Sequence, residues 1–84
     1  MKVAKDYFLE FKAELAQLSD SELIDRFNGE VGVRAFGVAR QGYLWAIREE
    51  LQERKIDFSS VDDDTEMSYK HVVFLKGKKF FRFS

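Results

Sequence analysis

The sequence predicts an α+β domain: three N-terminal helices followed by a C-terminal antiparallel β-hairpin packed on them. Three observations lead there. Through the first 55 or so residues apolar side chains recur at spacings of three and four, the period of a helix, with breaks at Ser19 and at a cluster of glycines. From Met67 the pattern changes to alternation, the period of a strand, and Lys76-Gly77-Lys78 interrupts it with a turn. The chain has 84 residues, 45% hydrophobic and 35% charged, which suits one compact core and is too short for two, so residues 1–84 form a single domain.

The first helix is expected from Val3 to Leu18. Ala4, Phe8, Phe11, Leu15 and Leu18 line one face, and Tyr7 flanks it. Lys5, Asp6, Glu10, Lys12 and Gln17 fall largely elsewhere. The polar face carries both signs of charge, which fits core packing better than a membrane-surface helix.

The second helix has the clearest local signal. Ser19 precedes Glu22 by three residues, the capping-box spacing, and Leu18 and Leu23 occupy the staple positions around it. One helix therefore stops and the next starts at a sharp corner. Leu23, Ile24 and Phe27 form the apolar face, and Asn28-Gly29 is expected to end the helix, since both residues tolerate a left-handed C-cap.

Between Glu30 and Gly37 the residues Val31, Val33 and Ala35 alternate with Glu30, Gly32 and Arg34, a strand-like pattern that the glycines oppose. An ordered loop is the favoured reading, with Val31, Val33 and Phe36 pointing into the core.

The third helix is expected from Val38 to Lys55, with Tyr43, Leu44, Ile47 and Leu51 as its stripe and Glu50–Arg54 in the favourable i,i+4 order. Gly42 inside it costs about 1 kcal/mol relative to alanine, so close approach of another backbone is its expected reason. Trp45 lies about 140° from the centre of the stripe. Either another element covers it, the hairpin being the obvious one, or it is exposed for binding.

In the hairpin, Met67, Tyr69, His71, Val73 and Leu75 alternate with Ser68, Lys70, Val72 and Phe74, and Lys79 to Phe83 return. A type II′ turn at Gly77-Lys78 pairs Phe74 with Phe81 and Val72 with Phe83; a type I′ turn at Lys76-Gly77 shifts every pair by one. In the first register Tyr69, Val73, Leu75 and Phe80 share one face and Val72, Phe74, Phe81 and Phe83 the other. A lone ribbon is marginal in water, so the second face needs a cover, either helices of the same chain or a second copy.

Composition narrows the chemistry. The chain has no cysteine, hence no disulfide and no thiolate, which favours a reducing compartment and a cytoplasmic reading. No apolar run approaches the ~20 residues of a membrane span. Asp62, Asp64 and Glu66 have the opening spacing of a calcium loop, but Met67 and Val73 stand where glycine and glutamate are needed, so no metal is expected. Gly32 and Gly37 have the separation of a P-loop, but Val38 and Ala39 replace its Lys and Ser/Thr. No cofactor motif remains. The single histidine, His71, sits mid-strand and is read as structural rather than as a general base, so no enzyme is expected.

Two surfaces are left. The first is the outer hairpin face with Trp45: Trp45, Tyr69, Phe74, Phe81 and Phe83 are candidates to bind a protein partner or a second copy of the chain. The second is basic. Lys70, Lys76, Lys78, Lys79 and Arg82 interleave with the hairpin aromatics and would suit nucleic acid, and Arg34 and Arg40 flank the start of the third helix, where anions are attracted. An acidic stretch at Asp57, Asp62, Asp63, Asp64 and Glu66 precedes this basic end, and the net charge of −1 selects neither partner. The favoured expectation is a non-enzymatic interaction module for a protein partner or itself, with nucleic acid as the alternative.

Overall fold

The computed structural model describes residues 2–33, 37–61, 69 and 72–82. Their order is α1 (Ala4–Leu15), α2 (Asp20–Gly29), α3 (Val38–Glu53), a single 3-10 turn η1 (Ser59–Val61), β1 (Val73–Lys76) and β2 (Lys79–Arg82). Three helices followed by a two-stranded antiparallel hairpin make the domain α+β, as the periodicity predicts.

The corner between α1 and α2 is built as the residues require. Ser19 Oγ accepts the Glu22 N–H at 3.1 Å, and the Glu22 carboxylate accepts the Ser19 N–H at 3.0 Å. Helix α1 stops at Leu15, three residues before the expected end. The chain tightens there into i→i+3 bonds from Gln17 to Glu14 and from Leu18 to Leu15. The orphaned carbonyls of Leu15 and Leu18 are taken by the Arg54 guanidinium at 2.9 and 2.7 Å.

Asn28-Gly29 does not end α2 in the expected way. Both residues lie within the helix, the C-cap Glu30 is right-handed, and the left-handed turn falls at Gly32, φ 80°. Gly32 donates its N–H to the Tyr69 carbonyl at 3.0 Å, so the chain reverses towards the hairpin. Val31 packs on the core, whereas Val33, past the reversal, is exposed rather than inward. Phe36 and Arg34 lie outside the described residues.

Helix α3 is the centre. Helix α1 runs parallel along it: a Cβ on Gly42 would stand 2.6 Å from the Ala4 carbonyl oxygen and 2.7 Å from the Phe8 nitrogen, so only glycine lets the two backbones meet. Farther along, Lys12 of α1 reaches Glu50 and Glu53 of α3. Helix α3 ends two residues early, in a Schellman motif that uses lysine instead of glycine. Lys55 takes φ 57°. Ile56 N–H returns to the Leu51 carbonyl at 3.0 Å and Lys55 N–H to Gln52 at 3.1 Å, with Leu51 and Ile56 both buried.

The hairpin register is Phe74 with Phe81, Leu75 with Phe80 and Lys76 with Lys79. Gly77 has φ 64°, and Lys78 is not among the positive-φ residues, which selects the type II′ alternative. Val73 and Phe80 are buried, and Leu75 and Tyr69 pack against them. The core thus gathers Leu15, Leu23, Phe27, Ile47 and Leu51 from the helices with Val73 and Phe80 from the hairpin.

Both hairpin edges are met by the chain itself. Along β2, Asp57 forms a parallel bridge to Lys79: its N–H donates to the Lys78 carbonyl and its carbonyl accepts the Phe80 N–H at 2.8 Å. Ser60 Oγ donates to the Phe80 carbonyl at 3.1 Å. Along β1, the Asn28 side chain imitates a peptide group. Its Nδ2 donates to the Val73 carbonyl and its Oδ1 accepts the Val73 N–H, both at 2.9 Å. A two-stranded ribbon becomes tenable because α2 and the η1 segment supply what a third strand would.

Candidate binding surface on the hairpin

Pleating sends Val73, Leu75 and Phe80 inward and Val72, Phe74 and Phe81 outward. The outward three are 43%, 38% and 36% exposed. Phe74 and Phe81, directly opposed in register, stack with ring centroids 5.6 Å apart and planes 21° apart. One step nearer the turn, on the same face, Lys76 opposes Lys79. The Lys79 ammonium lies 5.5 Å from the Phe81 centroid. The outer face is thus an aromatic pair with two lysines at its turn end. Like charges directly opposed across strands are unfavourable in the isolated chain.

The other basic residues are mostly committed within the chain. Lys78 points the other way and meets Asp20 Oδ2 at 2.8 Å. Arg40 Nε meets Glu30 Oε1 at 3.0 Å, with its guanidinium 6.0 Å from the Tyr69 ring, so it braces the loop rather than the helix N-terminus. Arg82 is exposed at the end of β2. Among the described residues neither Lys76 nor Lys79 makes an ion pair, and the nearby Asp57 carboxylate accepts the Ser59 N–H at 2.9 Å. That hydrogen bond, aided by the Lys79 charge, holds the Asp57 carboxyl below its ordinary pKa.

Trp45 is 41% exposed and is covered by α1, not by the hairpin. Its ring stacks on Phe8, centroids 4.0 Å apart and planes 19° apart. The hairpin packs on α2 and η1 instead. Trp45 therefore belongs to the α1–α3 seam, while Phe74 and Phe81 form the outer hairpin face. Tyr69 is placed with the core: its ring stacks on Phe27 at 4.6 Å, and its buried hydroxyl has no hydrogen-bond partner among the described residues. Burial, reinforced by the Glu30 carboxylate, pushes that hydroxyl well above the ordinary tyrosine pKa, so it stays neutral.

Phe83, Lys70, Arg34, His71 and the acids at Asp62, Asp63, Asp64 and Glu66 lie outside the described residues. Among the described residues no group of three His, Asp or Glu side chains converges as metal ligands would, and no helix is long and apolar enough to cross a membrane.

Sequence reasoning missed Asn28 and Asp57 as edge caps. Asn28 followed by Gly29 has the signature of a helix stop, and nothing local announces a partner 45 residues away. The Lys76–Lys79 opposition was hidden for a related reason, since it exists in only one of the two registers that the turn residues allow.

No family model matches the chain, and no curated protein or solved structure shows significant similarity to it.

Proposed function

We propose that this chain is a small non-enzymatic interaction module that binds a protein partner, or a second copy of itself, through the outer face of its hairpin. The observation that supports this most is the exposed, stacked Phe74–Phe81 pair, continued by Val72, on a hairpin whose inner face and edges are already used by the fold. Aromatic anchors on a rigid element lose little conformational entropy on binding and are enriched where interfaces concentrate their energy. The cysteine-free composition fits a reducing compartment, and we place the module in the cytoplasm.

Site-specific photo-crosslinking tests the reading. With p-benzoylphenylalanine at Phe81, a discrete adduct should form in cells, and the same probe at exposed Lys5, in the first turn of α1, should give none. Equal labelling from both positions, or none from Phe81, would contradict it. Light scattering at low and high protein concentration then separates the occupants: a mass that doubles identifies a second copy, and a constant monomer mass identifies a different protein.

Nucleic acid is the second reading, supported by the paired Lys76 and Lys79 beside stackable rings. Its signature is an affinity that falls steeply as salt rises, because phosphate contacts release counterions.

A further inference from the structure

Building on the docking face just proposed, we infer that its occupant is a short acidic-and-apolar peptide segment of another protein, rather than a second copy of this chain or a nucleic acid. Size is the first argument. Each strand has four residues. At ~3.3 Å per residue and ~4.8 Å per strand, the outer face has a footprint on the order of 130 Å². A stable protein–protein interface takes roughly 800 Å² from each partner. Among the described residues the face by itself falls well short of such an interface, and it matches a few residues of extended peptide.

Charge is the second argument. Lys76 and Lys79 face each other across the strands beside the stacked rings, and among the described residues neither makes an ion pair, although the Lys79 charge also acts on the Asp57 carboxylate. Most other cations of the described chain are paired: Lys2 with Glu10, Lys12 with Glu50, Arg26 with Glu14, Arg40 with Glu30, Arg54 with Glu50 and Lys78 with Asp20. Like charges opposed across strands disfavour each other, so a carboxylate bound beside them is stabilised by both. Apolar side chains of the same segment cover Phe74 and Phe81. Single-stranded nucleic acid would also use cations and rings, but a polyanion is held by a row of cations along its backbone, which two opposed lysines do not supply. A short segment with one or two well-placed carboxylates needs no such row.

The test is selection of nine-residue peptides displayed on phage against the immobilised full chain. Parallel selections use Lys76→Gln/Lys79→Gln, which removes the charges and keeps a polar side chain one atom shorter, and Phe74→Ser/Phe81→Ser, with circular dichroism confirming that each variant is folded. The expected result is enrichment of Asp or Glu next to aromatic or branched aliphatic residues. Synthetic copies of the selected peptides should bind the lysine variant at least about ten-fold more weakly. Enriched peptides that are neutral or basic, yet still depend on Phe74 and Phe81, would overturn the acidic class while leaving the docking face standing. Peptides that bind the phenylalanine variant equally well would overturn the face and the inference together. A 20-mer of oligothymidylate that binds more tightly than every selected peptide would overturn the inference in favour of nucleic acid.

Discussion

At the scale of single residues, three side chains report on different physics. Gly42 is where α1 and α3 touch, and the atoms that a Cβ would strike include the Ala4 carbonyl oxygen and the Phe8 nitrogen, which cannot move without their helix. Gly42→Ala gains about 1 kcal/mol of helix propensity but forces the helices apart, so it should lower stability by a net ~1–3 kcal/mol in urea unfolding. A rise in stability would mean that the two backbones are not in contact. Lys55 is the reverse case. It holds a left-handed conformation that costs a non-glycine residue about 1–2 kcal/mol, against the 0.5–1 kcal/mol or so that glycine loses through flexibility. Lys55→Gly should therefore stabilise by ~0.5–1 kcal/mol, and a loss of stability would show that the Schellman turn is absent. At Tyr69 the hydroxyl is buried without a partner among the described residues. Tyr69→Phe should raise stability by about 1 kcal/mol, because it removes a desolvated polar group and keeps the ring on Phe27. A fall of that size would reveal a hydrogen bond to the hydroxyl.

At the scale of elements, the joints are polar. Arg54, the C-cap of α3, binds Glu50 of that helix at 2.8 Å, Asp20 of α2 at 3.0 Å and the trailing carbonyls of α1. Glu50 also meets Lys12 of α1. Burial alone would raise the Glu50 pKa, but its hydrogen bonds to Lys12 and Arg54 more than offset this and hold it below the ordinary value. Asp20 is lowered by Lys78 and then by Arg54. Groups whose folded pKa lies below the unfolded one contribute stability that is complete above the unfolded pKa and is lost as pH falls through the folded one. Unfolded Asp and Glu titrate near ~3.9 and ~4.3. The urea midpoint should accordingly be flat from about pH 7 to about pH 5 and fall below about pH 4, with a shallower fall in Glu50→Gln. The same midpoint falling as pH rises from 5 to 7 would contradict the network. A second joint is Asn28, whose side chain pairs both backbone groups of Val73. Asn28→Ala should cost about 1–3 kcal/mol and speed hydrogen exchange at the Val73 amide; unchanged exchange there would remove Asn28 as the cap of β1.

At the scale of the whole molecule, what was legible followed distance along the chain. The Ser19–Glu22 box, the stripe Leu23, Ile24 and Phe27, and the close approach at Gly42 are written in local spacing, and the structure realises each. Two-residue periodicity separated inner Val73 and Phe80 from outer Phe74 and Phe81 once the register was known. Contacts set by tertiary geometry stayed hidden. Nothing near Trp45 in sequence points to Phe8 of α1, and Asp57, one acid in a run of acids, becomes the backbone neighbour of β2. The functional reading depends on the same division of the hairpin, with an inner face that holds the fold and an outer face that serves a partner. Urea unfolding of Phe74→Ser/Phe81→Ser beside Phe80→Ala tests that division most directly. The account predicts a loss for the outer pair well below the about 3–5 kcal/mol for Phe80. A double variant as damaging as Phe80→Ala would make the outer face part of the core and leave no surface there for a partner.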